Sequence, residues 1–407
     1  MFRAQVCAIL GTALMFASAQ AKARELIVSV DSRIGGDSNV FRRSANALSD
    51  GLWEFSPRAL VRDTRETLEY KFSYRPTYQA YFTRAGISGF DHYGRGDLTW
   101  RPNSADRFTA GGSVVSSRII RLFEDDMPTD PDQSILIESD SDRTIRSRAN
   151  VGYSTSFNRK HSGRVDFTFD DVNFQDDQNV DSRSFAVSVG TNYLLDERTQ
   201  IGLSLTGRRR EGRGSSSQVE TTTKTGDITL SLVRSVTPTI SLSARAGPSF
   251  TKTSQTAPPA LSFLVGSDSQ VSYVADVSVT KQYPHSTYSI KYSRFESGSA
   301  GSSAASTVDT VGLSGNYRIG REWTFYLNLD WTQREQISSI GSSSSSRFRR
   351  YSVSSYGKYR LSRAFSVIGQ VSYQRFDNRD QNVSSSAITN VAAGSLTLRY
   401  SFDPIQF

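Results

Sequence analysis

Long segments of this chain alternate apolar and polar residues one by one, and this period of two most constrains its fold. Successive side chains of a β-strand point to opposite faces, so each segment predicts a strand with one apolar and one polar face. Many segments run roughly 12 to 16 residues, which is longer than the usual strand of a soluble protein. The clearest apolar rows are Leu68–Tyr70–Phe72–Tyr74, Val165–Phe167–Phe169, Trp323–Phe325–Leu327–Leu329–Trp331 and Leu396–Leu398–Tyr400–Phe402.

The connections between these segments alternate between short and long. Short turns such as Arg62–Glu66 and Gln282–Ser286 alternate with longer stretches rich in Ser, Gly and Asp, such as 121–142 and 334–347. Bacterial outer-membrane barrels have short periplasmic turns and longer extracellular loops. Eight turns and nine loops predict an all-β fold, a transmembrane antiparallel up-and-down β-barrel of about 18 strands. About 16 strands is the fallback, because the first strand, near 25–34, has the weakest pattern.

The spacing of the aromatic residues favours this barrel over a secreted β-sandwich, in which alternating aromatics would form the core. Trp323 and Trp331 share a face, and eight residues of tilted strand span roughly 20 Å along the membrane normal. That distance suits an apolar band of about 25 Å with aromatics at both rims. We expect Tyr373 and Trp331 near the outer rim. The full set of predicted interface aromatics is Trp53, Trp100, Tyr317, Trp323, Trp331, Tyr359, Phe365 and Tyr373.

The N-terminus predicts a secretory signal peptide over residues 1–23, followed by one barrel domain over residues 24–407. Arg3 precedes an apolar stretch at Ala4–Ala17, and 19–21 and 21–23 both have the small-x-small pattern of a cleavage site. The alternative is a buried helix of a cytosolic domain. The single cysteine, Cys7, lies inside this segment, so the mature chain would have no disulfide and no structural zinc. We therefore expect an outer-membrane location.

The polar face of the predicted strands is rich in basic residues, within a formal net charge of +8. Export argues against nucleic acid as the partner of this charge. Basic rings in a pore select anions, so we predict a water-filled lumen suited to anionic or polyhydroxylated solutes. The alternative is that the lumen charges pair across strands and only solvate the wall. The predicted pore-lining residues are Arg75, Arg146, Arg148, Arg164, Asp166, Arg208, Arg245, Asp276, Lys291, Arg318, Asp330, Arg350, Lys358 and Arg399.

Catalytic and cofactor-binding patterns are weak in this chain, and we expect neither an enzyme nor a bound cofactor. Of the three histidines, His161 and His285 fall in predicted turns and His92 falls on the lipid-facing parity. The segment 121–142 is the longest candidate for a loop that folds into the lumen. Its acidic residues could bind Ca²⁺ through oxygen ligands, although a solvated loop explains them as well: Glu124, Asp125, Asp126, Asp130, Asp132, Glu138, Asp140 and Asp142.

One short motif resembles a known family. The stretch 37–42, with Asp37, Asn39, Val40 and Phe41, resembles the D-x-N-V-F signature of the beta-barrel porin 2 family. The following Phe55-Ser56-Pro57 and the Leu68–Tyr74 strand are similar to the opening strands of that family. The resemblance implies an 18-stranded outer-membrane pore that passes an extracellular or capsular polysaccharide, and it implies no catalytic residues. The alternative for Asn39 and Phe41 is a structural turn in the first extracellular loop.

Two functions therefore compete: a conduit for polysaccharide and a general or anion-preferring diffusion porin for small solutes. A structural or adhesin-type surface barrel is a third possibility. The expected partners are outer-membrane lipid and lipopolysaccharide, the barrel-assembly machinery, and for a conduit the polysaccharide and a periplasmic export protein. The C-terminal Phe407 resembles the terminal aromatic signal of such barrels, but Asp403–Phe407 is out of frame with the alternation that ends at Phe402.

Overall fold

The computed structural model describes residues 24–40, 47–84, 86, 88–117, 143–175, 180–214, 220–256, 266–298, 305–336, 346–380 and 387–406. Regular structure within these ranges is almost entirely β. No helix there has the length and hydropathy to cross a bilayer. The strands are β1 (Arg24–Asp37), β2 (Asp50–Thr64), β3 (Leu68–Tyr81), β4 (Gly89–Trp100), β5 (Asp106–Ser117), β6 (Thr144–Ser156), β7 (His161–Phe174), β8 (Val180–Asp196), β9 (Thr199–Gly214), β10 (Glu220–Thr237), β11 (Ile240–Thr256), β12 (Gly266–Gln282), β13 (Ser286–Gly298), β14 (Ala305–Ile319), β15 (Trp323–Gln336), β16 (Ser346–Arg360), β17 (Phe365–Asp380), β18 (Ala387–Ser401) and the short β19 (Ile405–Gln406).

The sheet closes on itself. Each strand from β1 to β18 pairs antiparallel with the next along the chain, and β18 returns to β1 in a register that runs from Ser29↔Ser401 to Asp37↔Ala393. Closure joins β18 to β1, so neighbouring strands satisfy one another's backbone hydrogen bonds around the described wall, except where β12 and β13 separate near the loop end. The prediction of an antiparallel barrel of 18 long strands is confirmed within the described ranges, and the β-sandwich alternative is wrong. β1, the strand whose alternation pattern is the weakest in the sequence, closes the barrel by pairing with β18.

The two ends of the barrel differ. One end, here called the turn end, carries the short connections, and the opposite end is called the loop end. The longest connection at the turn end is 101–105, so the prediction of short turns at one end of the barrel is confirmed. The turn-end connections are 65–67, 101–105, 157–160, 197–198, 238–239, 283–285, 320–322 and 361–364.

The outer face of the wall is apolar and exposed, and the inner face is polar. On β9, Leu203 and Leu205 are exposed, whereas Ser204 between them hydrogen-bonds Thr229 of β10 at 2.6 Å on the inner face. Alternation along the strand thus places hydrocarbon outside and hydrogen-bonding groups inside, the reverse of a soluble protein.

Aromatic rings form a girdle on the outer face at the turn end. Trp100 stacks on Phe108 with ring centroids 5.2 Å apart, and Phe108 contacts Tyr153 at 4.7 Å. Farther round the barrel Trp323 packs against Tyr359 at 4.4 Å. Rings with an apolar body and a polar edge suit the boundary between hydrocarbon and water.

The chain continues pairing beyond the frame of β18. Ile405 and Gln406 pair with Leu26 and Glu25 of β1, one residue out of register with the Ser29↔Ser401 pair. This shift explains why the alternation in sequence breaks after Phe402. Phe407 lies outside the described residues.

The wall divides between β12 and β13. Their pairing stops at Ala275↔Arg294, although β12 continues on β11 to Gly266 and β13 continues on β14 to Gly298. Beyond this point the end of β13 lies against the inner face of the wall, as the contacts of Glu296 below demonstrate. The ends of β13 and β14, which remain paired with each other, are here called the inward hairpin.

Candidate functional site

The predicted pore-lining residues all share the strand parity that faces inward. Many of these charges are paired with an inward neighbour. Arg146 donates to Asp170 across β6 and β7, with both guanidinium-carboxylate contacts at 2.9 Å or less. Lys291 lies 3.1 Å from Asp276 across β12 and β13. Cross-strand pairing therefore neutralises part of the charge on the lumen wall, in line with the alternative that lumen charges pair across strands.

The inward surface is different at the turn end, where a cavity of about 340 Å³ opens between β14 and β18. Its wall combines cations with two tyrosines and contains a single carboxylate. We call this site the turn-end cavity. It is lined by Arg318, Arg321, Glu322, Thr324, Tyr326, Tyr356, Lys358, Arg360, Ile368 and Arg399.

Three arginines of the turn-end cavity keep their charge available. Arg318, Arg321 and Arg360 are exposed, and their side chains make no ion pair or hydrogen bond with another described residue. Arg399, in contrast, holds Asp31 of β1 through two hydrogen bonds of 2.8 Å. The cavity therefore presents uncompensated guanidinium groups, which bind carboxylate and phosphate in a planar, two-pronged geometry.

Two tyrosines form the floor of the turn-end cavity. Tyr326 and Tyr356 are directly opposite each other on β15 and β16, and their rings stack with centroids 4.2 Å apart and an interplanar angle of 18°. Both are half-buried. A flat aromatic surface with hydroxyl groups at its edge can pack against an apolar ring face and hydrogen-bond polar substituents. The turn-end cavity therefore offers cationic groups and a flat aromatic surface side by side.

The inward hairpin occupies part of the lumen on the side of β9–β12. Arg208 of β9 donates to the backbone oxygen of Glu296 at 3.0 Å, and Ser272 of β12 donates to the Glu296 carboxylate. Glu296 is only 5% exposed although it belongs to the outward parity of β13. The hairpin thus presents its outer face to the inner wall of β9–β12. Strand alternation alone did not reveal this position.

The family-like motif lies at the loop end. The backbone N–H of Asn39 donates to the Asp37 carboxylate at 2.8 Å, and Ser38 exchanges hydrogen bonds with the backbone of Ala392. Asn39 and Val40 are almost fully buried. These contacts extend the β1–β18 seam and fit the structural-turn interpretation. Phe41 lies outside the described residues, as do residues 121–142 and their acidic cluster.

The remaining candidates lie away from the turn-end cavity. His92 is on the outer face, where its ring nitrogen hydrogen-bonds the Tyr74 hydroxyl at 2.9 Å. His161 begins β7 and His285 lies in the 283–285 turn. Within the described ranges no group of three His, Cys, Asp or Glu residues could hold a metal ion. The predicted interface aromatics all share the outward parity.

Comparisons with known proteins add only broad likeness. No protein-family profile and no curated protein matches the sequence. Among solved structures, the ferric-catecholate import receptor Fiu from E. coli K12 has a TM-score of 0.49 and 10% identity over 92% of this chain and 81% of that one. OccAB4 from Acinetobacter baumannii has a TM-score of 0.44 and 8% identity over 94% and 99%. OpdQ from Pseudomonas aeruginosa has a TM-score of 0.44 and 10% identity over 95% and 100%.

Proposed function

We propose that this protein is an outer-membrane pore that exports an extracellular or capsular polysaccharide carrying acidic groups. The closed barrel with an apolar exterior and a polar interior supports the pore. The proposed cargo rests on the turn-end cavity, where the side chains of Arg318, Arg321 and Arg360 have no partner among the described residues and lie beside two stacked tyrosines. In a bacterial barrel the turn end faces the periplasm, where a polymer leaving the cell would enter.

A diffusion porin for small anions remains the competing proposal, supported by the same unpaired arginines. The tyrosine pair favours the polysaccharide, because a simple anion needs charge and has no use for a stacked aromatic floor.

The test is deletion of the gene, scored for polysaccharide on the cell surface. We expect the polymer to disappear from the surface and to return with the wild-type gene. A variant with Arg318→Gln, Arg321→Gln and Arg360→Gln should restore it only weakly, because the entry cavity has lost its charge. The matched control is Arg363→Gln, which removes an exposed arginine of the 361–364 turn that does not line the cavity. Normal surface polymer in the deletion strain would refute the proposal and favour the diffusion porin.

A further inference from the structure

A row of three cations crosses the outer face of the barrel near the loop end. Arg209 of β9 is directly opposite Lys224 of β10, and Lys224 is directly opposite Lys252 of β11. All three are exposed. Neighbouring strands are about 4.8 Å apart, so the row spans roughly 10 Å. We call these three residues the outer cation row.

The outer cation row retains most of its charge. Arg209 has one partner, the carboxylate of Glu211 at 2.6 Å on its own strand. Neither Lys224 nor Lys252 makes an ion pair with any described residue. Like charges directly opposite on a sheet destabilise it, so the arrangement is unfavourable without an anion beside it.

The row lies at the boundary of the apolar band. The next large outward side chains toward the turn end are Leu205, Ile228 and Phe250, and they are 52%, 45% and 49% exposed. On the lipid-facing surface, cations directly above such hydrocarbon are level with lipid headgroups.

A notch separates the row from the hydrocarbon on β9 and β10. Gly207 and Gly226 are directly opposite each other in this gap, and a Cβ atom on either would meet nothing within 4 Å. Phe250 is directly opposite Gly226 and forms one border of the notch. The surface therefore combines a positive row with an adjoining shallow space bordered by apolar side chains.

We propose that the outer cation row and this notch bind the phosphorylated headgroup of a glycolipid in the outer leaflet, the lipid A part of lipopolysaccharide. The phosphates neutralise Lys224 and Lys252, and the start of an acyl chain occupies the space over Gly207 and Gly226. The site rests on the membrane location in the proposed function but not on the cargo of the pore. It is a site for bound lipid and takes no part in transport.

The test is lipid binding to the purified full-length protein in detergent, followed by native mass spectrometry. The probes are bisphosphorylated lipid A, the same lipid after removal of both phosphates, and inorganic phosphate. We expect Lys224→Gln with Lys252→Gln to weaken binding of bisphosphorylated lipid A by about tenfold or more. The matched control is Lys281→Gln, an exposed outward lysine at the turn end that lies over the Tyr283 ring. A second variant, Gly226→Leu, fills the notch and should weaken the binding of lipid A while leaving the charges of the row unchanged.

The outcomes separate the site from the function of the pore. Equal binding of the two lipid forms, or wild-type binding by the double lysine variant, overturns the proposal. Inorganic phosphate that binds as tightly as lipid A also overturns it, because the headgroup would then be irrelevant. Heat-modifiable migration of each variant checks that the barrel has folded. If lipid A binds as expected while a deletion strain keeps its surface polymer, the lipid site stands and the export function falls.

Discussion

At the scale of single residues, pairing decides which charges of the lumen can act on a solute. Arg146 and Lys291 are held by Asp170 and Asp276, whereas Arg318, Arg321 and Arg360 have no acidic partner in the part of the chain that the structure describes. The sequence predicted the inward face of Arg318 from its parity. It could not distinguish paired from unpaired cations, because pairing depends on cross-strand register and on side-chain conformation. Arg321 and Arg360 were not predicted, since they lie at or beyond the strand ends where alternation fades.

The unpaired arginines should set the ion preference of the pore. Replacing Arg318, Arg321 and Arg360 together by glutamine should move the reversal potential of a bilayer-reconstituted pore away from anion preference, since a basic ring favours anions. The measurement is the reversal potential in a salt gradient, with Arg363→Gln as the control. An unchanged reversal potential would mean that another part of the lumen controls selectivity.

The tyrosine pair should contribute to sugar binding through its rings. Tyr326→Ala should weaken binding of an acidic oligosaccharide about fivefold, which corresponds to about 1 kcal/mol for one lost ring contact. Tyr326→Phe keeps the ring and should retain most of the affinity. Titration calorimetry of the purified barrel measures both. Equal losses in the two variants would show that the hydroxyl, and not the ring, makes the contact.

At the scale of the strands, alternation predicts which face of a strand a residue occupies but does not predict where the strand goes. Most of the wall obeys parity, so the lumen rows follow from the sequence. Glu296 breaks the rule because β13 leaves β12 above Ala275↔Arg294 and its outer face meets the inner wall. The outward parity of β13 changes from apolar residues to the charged Arg294 and Glu296 at this point, but the sequence does not give the direction of the divergence, which depends on contacts with β9 and β12.

The inward hairpin should limit conductance. Arg208→Ala combined with Glu296→Ala removes the side-chain contacts that hold the hairpin to the inner wall, each worth about 1 kcal/mol. We expect a larger single-channel conductance and more current noise in planar bilayers. Arg245→Ala is the control, because this inward arginine of β11 makes no hydrogen bond or ion pair with the described residues of the hairpin. Wild-type conductance in the double variant would show that the hairpin does not restrict the pore.

At the scale of the whole molecule, closure makes the fold cooperative. β1 bridges β2 and β18, and Arg399 holds Asp31 across the final seam. Deletion of residues 24–37 should leave two free strand edges and no heat-modifiable folded species in detergent. The matched control is Asp31→Asn with Arg399→Gln, which removes the ion pair but keeps the strand. A folded, closed barrel from the shortened chain would contradict the assigned topology.

Alternate side chains of each strand face lipid and water around a closed barrel. The most direct test of this arrangement is a spin-label scan along Trp323–Thr332 of β15 in bilayers, with Cys7 absent from the processed chain or replaced. We expect accessibility to oxygen to peak at Phe325, Leu327 and Leu329, and accessibility to a water-soluble nickel reagent to peak at Tyr326, Asn328 and Asp330. Accessibilities that rise and fall together, or that lack a period of two, would contradict this arrangement.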